Sequence, residues 1–317
     1  MEEYKEHYTT LDNLSNKLAQ DGVAVIKDVI NQNELVQARE GMWQTLNKLT
    51  ENLEKPIQKN DHTTWKTLYE LYPKHSMLLQ NFSVGHSQFI WDIRQNQKVY
   101  DVFKNIWDDE DLLCSFDGLS VHLPPELTKR GWYRGNDWFH TDQSSEKVGL
   151  HCIQGMINLY DVNPGDATLR IMKGSNNNHQ DFFKTYNICE KSDWYKLKEE
   201  ELSYFNQFEK NSVLASAGSL ILWDSRTFHQ GVEPRKEREN PNFRCVVYVC
   251  MTPRSLSDSK NILKKQKAFN EMRMTSHWPH KIKLFPKLPR TYGNPLPNVP
   301  SLDAPVLTEL GKKLAGF

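Results

Sequence analysis

Apolar positions fall into two regimes that meet near residue 110. Before it the spacing is mostly helical. Residues 11–20 read as a short amphipathic helix stopped by Asp21-Gly22, and Val23-Ala24-Val25-Ile26 follows as a strand. Asn31 is placed to cap a long helix in which Leu35, Ala38, Met42, Leu46 and Leu49 recur at three- and four-residue steps, the period of one helix face. The stretch on to about Asn105, with Trp65, Leu68, Leu71 and Trp91, predicts mostly helical or irregular structure. From about Leu112 short β-prone runs take over, at 118–123, 152–160, 167–172, 219–223 and 243–251, separated by Gly, Pro, Asn and Asp. Such a succession predicts a sandwich or barrel. An insertion over 181–208 carries helical spacing at Trp194, Leu197 and Leu202. Past Thr252 the chain is basic and proline-rich, as an extended arm wrapped on the core would be. The expected organisation is one domain over 1–317, mainly β with flanking helices. It divides into a mostly helical part (1–110), a β core (111–252) with a helical insertion (181–208), and a C-terminal arm (253–317).

Composition narrows the class without changing that picture. With 38% hydrophobic and 25% charged residues, the 317-residue chain can bury a full core. Its 40 basic residues cancel 40 acidic ones, which argues against a general nucleic-acid binder and leaves room only for local basic patches. No run approaches 18 apolar residues, so no membrane span is expected. The amino-terminal MEEYKEHYTT lacks the apolar stretch of a secretory leader. Five cysteines, an odd number with no CxxC, include Cys152, Cys245 and Cys250 inside apolar runs, where a free thiol acts as a small hydrophobe. A reducing, cytoplasmic setting is the expectation.

Candidate chemistry centres on His140-Thr141-Asp142. Positions i and i+2 of a strand project to one face, so an imidazole and a carboxylate can reach one ion together. His229 is the best third ligand. Two histidines and one carboxylate on one face of an octahedron leave three positions open, as non-haem Fe(II) oxygenases require. The pair is not unique, because His179-Gln180-Asp181 repeats it. That copy follows a turn-like run at 174–178, where Asp181 reads more simply as a helix N-cap. Arg244 separates the two. Residues 243–250 alternate, and Arg244 shares a face with Val246 and Tyr248. A guanidinium pointing into a β core is costly unless an anion meets it, and a dicarboxylate can do so with two parallel hydrogen bonds. The charges then balance: Fe(II) with Asp142 is +1, 2-oxoglutarate brings −2, and Arg244 cancels the rest. Arg235 and Arg238 stand in a charge run at 234–239 that reads as solvated.

His140-Thr141-Asp142, residues 154–159 (QGMINL), residues 165–169 (GDATL) leading to Gly174-Ser175 and His179, then His229 and Arg244, together resemble the phytanoyl-CoA dioxygenase-like family. Residues 21–26 resemble its amino-terminal strand, so the similarity spans roughly 15–252. The resemblance implies a double-stranded β-helix (jelly-roll) core with helices on one side. It implies Fe(II) on His140, Asp142 and His229, and 2-oxoglutarate on Arg244. Thr141 and Gln154 match positions lining the cosubstrate site, although family members often carry an aromatic where this chain has Gln154. The implied reaction uses O2 to hydroxylate a small organic substrate, with release of succinate and CO2. Halogenation would need a small residue in place of Asp142.

Other polar and aromatic residues have plainer readings. His122 reads as a core histidine and His151 as a surface residue at a strand start. Trp132, Trp138 and Trp223 read as core aromatics, and Lys129, Arg130 and Arg134 as a solvated loop. A catalytically silent jelly-roll scaffold would have no use for a metal site beside a buried cation. A cupin-like or zinc-dependent isomerase or hydrolase would leave Arg244 without a partner. Substrate identity and oligomeric state are not legible in the chain.

Overall fold

Two antiparallel sheets face each other, and helices cover the outer side of the larger one. The computed structural model describes residues 6–317; residues 1–5, the start of the segment read for a leader, lie outside the described residues. The amino-terminal part runs through α1 (Leu14–Asp21), β1 (Val23–Ile26) and α2 (Gln32–Thr50), then β2 (Leu78–Leu79), α3 (Gln88–Arg94) and α4 (Gln97–Trp107). The core contains β3 (Leu112–Cys114), β4 (Leu119–His122), α5 (Pro125–Thr128), β5 (His140–Thr141), β6 (Ile153–Asn158) and β7 (Thr168–Met172). It continues with α6 (His179–Thr185), β8 (Tyr195–Lys196), β9 (Lys210–Ser212), β10 (Leu220–Asp224), β11 (His229–Val232) and β12 (Arg244–Pro253). Helices α7 (Ser259–Asn270) and α8 (Glu309–Ala315) complete the chain.

The seven-stranded sheet is ordered β1-β10-β6-β12-β4-β2, with β3 also on β12; the five-stranded sheet is β8-β5-β11-β7-β9. Neither sheet closes on itself. Strands of the larger sheet are buried on both faces, so they read as apolar runs. Ala24, Ile157, Leu222, Val247 and Val249 pack outward against Leu35, Met42, Leu46 and Ile90 of α2 and α3. Val23, Val25, Met156, Ile221, Trp223 and Val246 point inward and meet Leu169, Ile171 and Val213 of the second sheet. This mainly β, helix-flanked architecture is the expected one.

The amino-terminal expectations hold in detail. Asn31 accepts from the Glu34 amide (3.0 Å) while the Glu34 carboxylate accepts from the Asn31 amide (2.8 Å), a reciprocal cap at the start of α2. Gly22 ends α1 at φ 74°, and a Cβ there would lie 2.4 Å from Thr227 Oγ1. Only glycine admits so close a neighbour in that conformation.

Three segments differ from expectation. Residues 181–208 are α-helical only at their start, with a 3-10 helix over Glu199–Phe205. Tyr195 and Leu197 alternate into an aromatic cluster with Phe139, Phe182, Phe205 and Phe228, and this two-residue period makes β8 rather than a helix. Asp181 sits in the first turn of α6 and accepts from the Tyr204 hydroxyl; the cap position belongs to Asn178. The arm after 253 is extended only between α7 and α8. Basic residues on the exposed face of α7, where only Lys265 and Ala268 are buried, hide its periodicity. Arg238 is not solvated. It grips Glu126 through Nε (2.8 Å) and Nη2 (2.6 Å) and Asp166 through Nη1 (3.0 Å), pinning the 234–239 loop to α5. Cys114, Cys152, Cys245 and Cys250 are buried free thiols, and Cys189 is exposed. No helix among the described residues is long and apolar enough to cross a membrane.

Two stability predictions follow from these contacts. Arg238→Leu leaves buried Asp166 and partly buried Glu126 without their cation and is expected to cost about 3 kcal/mol in urea unfolding. Burial pushes the pKa values of His86, His122 and His179 down to about 4. Unfolded imidazoles titrate near 6.5, so between those values only the unfolded chain takes up protons and stability falls as pH falls. Each should contribute a loss of roughly 1–2 kcal/mol by pH 5. His86→Gln should flatten the pH dependence of the urea midpoint; an unchanged slope would contradict the assignment.

Candidate metal centre

Antiparallel pairing of β5 with β11 sets His140 directly opposite His229, with ring centroids 4.3 Å apart. Phe139 anchors the start of β5 in the aromatic cluster, so alternation turns His140 to the other side, into the cavity between the sheets. The Asp142 amide donates to the Ser225 carbonyl (3.0 Å), which turns that carboxylate toward both imidazoles. Asp142 Oδ1 lies 3.8 Å from His140 Nε2, and Oδ2 lies 3.3 Å from His229 Nε2. One ligand atom from each residue falls within 4.8 Å of the others, so the three could hold one ion.

Each imidazole is oriented through its other nitrogen. His229 Nδ1 lies 2.9 Å from the Thr227 carbonyl and His140 Nδ1 lies 3.4 Å from that of Trp138, in both cases the residue two positions earlier. A proton on Nδ1 leaves the Nε2 lone pair free for a metal. The Thr227 hydroxyl donates to the Gly22 carbonyl (2.9 Å), which ties this turn to the close approach at Gly22. Burial, reinforced by His229 alongside, pushes the His140 pKa down to about 3, so its imidazole is neutral. Burial would raise Asp142, yet the two imidazoles hold its carboxyl well below the usual range. A neutral His140 nitrogen beside an ionised Asp142 carboxylate is the protonation state that ligation needs.

The remaining residues singled out in the sequence divide. Gln154 lies in the cavity and donates Nε2 to Asp142 Oδ2 (2.9 Å). Thr141 is turned away from the cavity, its hydroxyl donating to the Ser225 carbonyl (2.9 Å), because it falls between two inward positions of the same strand. His179 is a core residue bonded to the Gln143 carbonyl (2.9 Å), and His122 bonds the Gly131 carbonyl (3.0 Å). His151 bonds the Val148 carbonyl at the surface. Trp138 and Trp223 do line the cavity. Trp138 stacks on His140 (4.8 Å, 8°), and Trp223 lies 5.6 Å from His229. Trp132 instead carries the Arg238 guanidinium on its ring, and Lys129, Arg130 and Arg134 lie outside the cavity lining.

Arg244 reaches the same cavity, of about 600 Å³. It is 4% exposed, and its Nε has no hydrogen-bond partner. Among the described residues its terminal nitrogens meet only sulfur, Met77 Sδ at 3.2 Å and Met156 Sδ at 3.8 Å. Thioethers are weak acceptors, so a buried cation here lacks the anion that would offset its desolvation. The donor set fits a divalent non-haem metal, and the unpaired guanidinium fits a carboxylate ligand beside it.

Two contributions to the site could not be assigned to individual residues from sequence. His75, in a left-handed conformation (φ 49°), stacks on Trp138 at 3.9 Å and 4°. Residues 276–285 of the C-terminal arm form one wall of the cavity. Neither carries a local pattern, because loops far apart in sequence deliver them.

Two facing antiparallel sheets of jelly-roll type, with two histidines and one carboxylate between them, define a class, and comparison with known proteins places the chain within it. The chain belongs to the phytanoyl-CoA dioxygenase family, whose model, phytanoyl-CoA dioxygenase (PhyH), matches residues 18–235. It is similar to Ava biosynthesis cluster protein O of Aspergillus versicolor, with 26% identity over 287 residues, 87% of this chain and 88% of that one. Among solved structures, hypothetical protein JW0805 from Escherichia coli superposes with a TM-score of 0.59 at 13% identity, covering 98% of this chain and 85% of its own. EvdMO1 gives 0.51 at 14% identity, covering 76% and 50%. At these identities the structures share the fold.

Gln154→Leu removes the donor that orients Asp142. It is expected to weaken Mn(II) binding by roughly tenfold or more in anaerobic calorimetry, with the fold retained by circular dichroism. Unchanged affinity would show that the carboxylate does not depend on this hydrogen bond.

Proposed function

We propose that this protein is an Fe(II)- and 2-oxoglutarate-dependent dioxygenase that hydroxylates a small organic substrate. The observation carrying the reading is the buried Arg244 guanidinium without an anion, in the cavity that also holds His140, Asp142 and His229. A metal-binding scaffold or hydrolase would have no physical use for that cation. Membership of the family supports the same conclusion. Likeness to a protein named for a biosynthesis cluster supports a small-molecule substrate. Buried, unbridged thiols support a reducing, cytoplasmic setting.

His140, Asp142 and His229 would hold the iron, and Arg244 the distal carboxylate of 2-oxoglutarate. Iron and cosubstrate together supply the oxidising power, consuming O2 and releasing succinate and CO2 as one oxygen atom enters a substrate C–H bond. The protein's own contribution is orientation and exclusion of water. The Trp138 and Thr227 carbonyls set the tautomer of each imidazole, and Gln154 fixes the carboxylate. Met77 and Met156 wrap Arg244 in apolar sulfur, which strengthens its attraction for a dicarboxylate. With Asp142 occupying the third ligand position, hydroxylation is favoured over halogenation.

Anaerobic addition of Fe(II) and 2-oxoglutarate should produce the weak visible charge-transfer band of the chelate, and His140→Ala should abolish it. Arg244→Leu should weaken 2-oxoglutarate binding on the order of 100-fold while leaving metal affinity intact, since the lost pair is buried and charged. A wild-type protein that binds metal but shows neither the band nor 2-oxoglutarate-dependent succinate would sink the proposal.

A further inference from the structure

On the reading above, the loaded centre is electrically neutral. The ion's two positive charges and Arg244 are matched by Asp142 and the two carboxylates of 2-oxoglutarate. The rest of the cavity is not balanced. Lys74, Lys281 and Lys283 line it, against Asp117 and Asp193. Asp193 is already taken by Lys147 in an ion pair. Asp117 is a buried carboxylate set beside Arg94, whose Nη2 donates to the Asp117 carbonyl (2.6 Å). Lys74 finds the neutral Gln80 amide oxygen (2.9 Å) and the Phe285 ring (5.8 Å), and no carboxylate among the described residues. Partial desolvation and the neighbouring Arg290 push the Lys74 pKa down, which reports a cation lacking a counter-ion. Lys281 and Lys283 have no ion-pair partner among the described residues.

The backbone that carries the two lysines is held in place. The Lys283 carbonyl accepts from the Ser276 amide and the Met274 carbonyl from the Phe285 amide, both at 2.9 Å. These bonds fold 274–285 back on itself as a ribbon, with Lys281 and Lys283 on its cavity-lining part. The neighbouring surfaces are flat and aromatic. Trp138 and His75 stack face to face, Trp278 and Phe285 come from the ribbon, and Trp194 lines the cavity while 50% exposed. A half-exposed tryptophan at a cavity mouth is a surface that a ligand ring can cover.

We propose that the substrate is a planar, ring-bearing organic acid. Its ring packs on the half-exposed Trp194, and its acid group meets Lys74, Lys281 and Lys283 of the cavity lining. The inference rests on the dioxygenase reading, because only a neutral loaded centre leaves these cations for the substrate. The ribbon lies beyond residue 235, where the family match ends.

Calorimetry on the full chain, loaded with Mn(II) and saturating 2-oxoglutarate, tests it with 2-naphthoate and its neutral isostere 2-naphthamide. The acid should bind about tenfold more tightly than the amide, and the preference should shrink as NaCl rises from about 0.05 to about 0.5 M. K281Q/K283Q should weaken the acid about fivefold and leave the amide and 2-oxoglutarate unchanged. Arg244→Leu should lose 2-oxoglutarate yet keep naphthoate. Equal affinity for acid and amide would overturn the proposal, as would no binding of either by a protein that still binds 2-oxoglutarate. Naphthoate binding that depends on Arg244 and ignores the lysines would also overturn it. If 2-oxoglutarate does not bind the Mn(II)-loaded wild type while naphthoate does, the dioxygenase reading fails and the acid site stands.

Discussion

The structure turns on one strand pairing, β5 against β11, which sets His140 opposite His229. Side chains directly across an antiparallel pair are about 5 Å apart, so register alone brings two imidazoles to one point. A slip of one residue would replace a ligand with Thr141 or turn it to the opposite face. The register is held from three sides. Phe139 is buried in the aromatic cluster, Asp142 is tied to the Ser225 carbonyl, and Thr227 is tied to the Gly22 carbonyl. The last bond explains why a glycine in the amino-terminal segment belongs to the site, since any side chain there would push Thr227 away.

The larger sheet divides its labour by face. Outward positions of β1, β6, β10 and β12 bury aliphatic surface against the helices and supply the cohesion of the core. Inward positions carry Gln154, Met156, Trp223, Arg244 and Tyr248 into the cavity. The polar residues stand on strands whose opposite face is locked in apolar packing. Such a base can hold an unpaired guanidinium in place. The desolvation cost of Arg244 is carried by the surrounding hydrophobic core.

The C-terminal segment closes the cavity rather than merely wrapping the core. Its two helices dock through few buried residues, and the ribbon between them presents Trp278, Lys281, Lys283 and Phe285 to the space above the metal centre. The candidate metal ligands stand on the sheets and this wall on a separate segment, so one can vary while the other stays.

Periodicity and local chemistry were enough for much of this. The Asn31 cap, the α2 face, the β-rich core, the pair His140 and Asp142, and the inward side of Arg244 all depend on spacing within a few residues, which a chain displays directly. His229 was found by residue type, and its pairing with His140 needed the fold. What the chain could not show was long-range. Whether Arg238 meets water or Glu126 and Asp166 depends on a loop contact across more than a hundred residues. Whether Thr141 lines the site depends on which strand face is inward. That β8 is a strand depends on an edge offered by β5. The wall at 276–285 has no local signature, because its residues acquire a role only from what they are packed beside. Local sequence determined the elements and the ligand chemistry; tertiary structure alone decided which groups share the cavity, since that is a property of register and packing between distant segments.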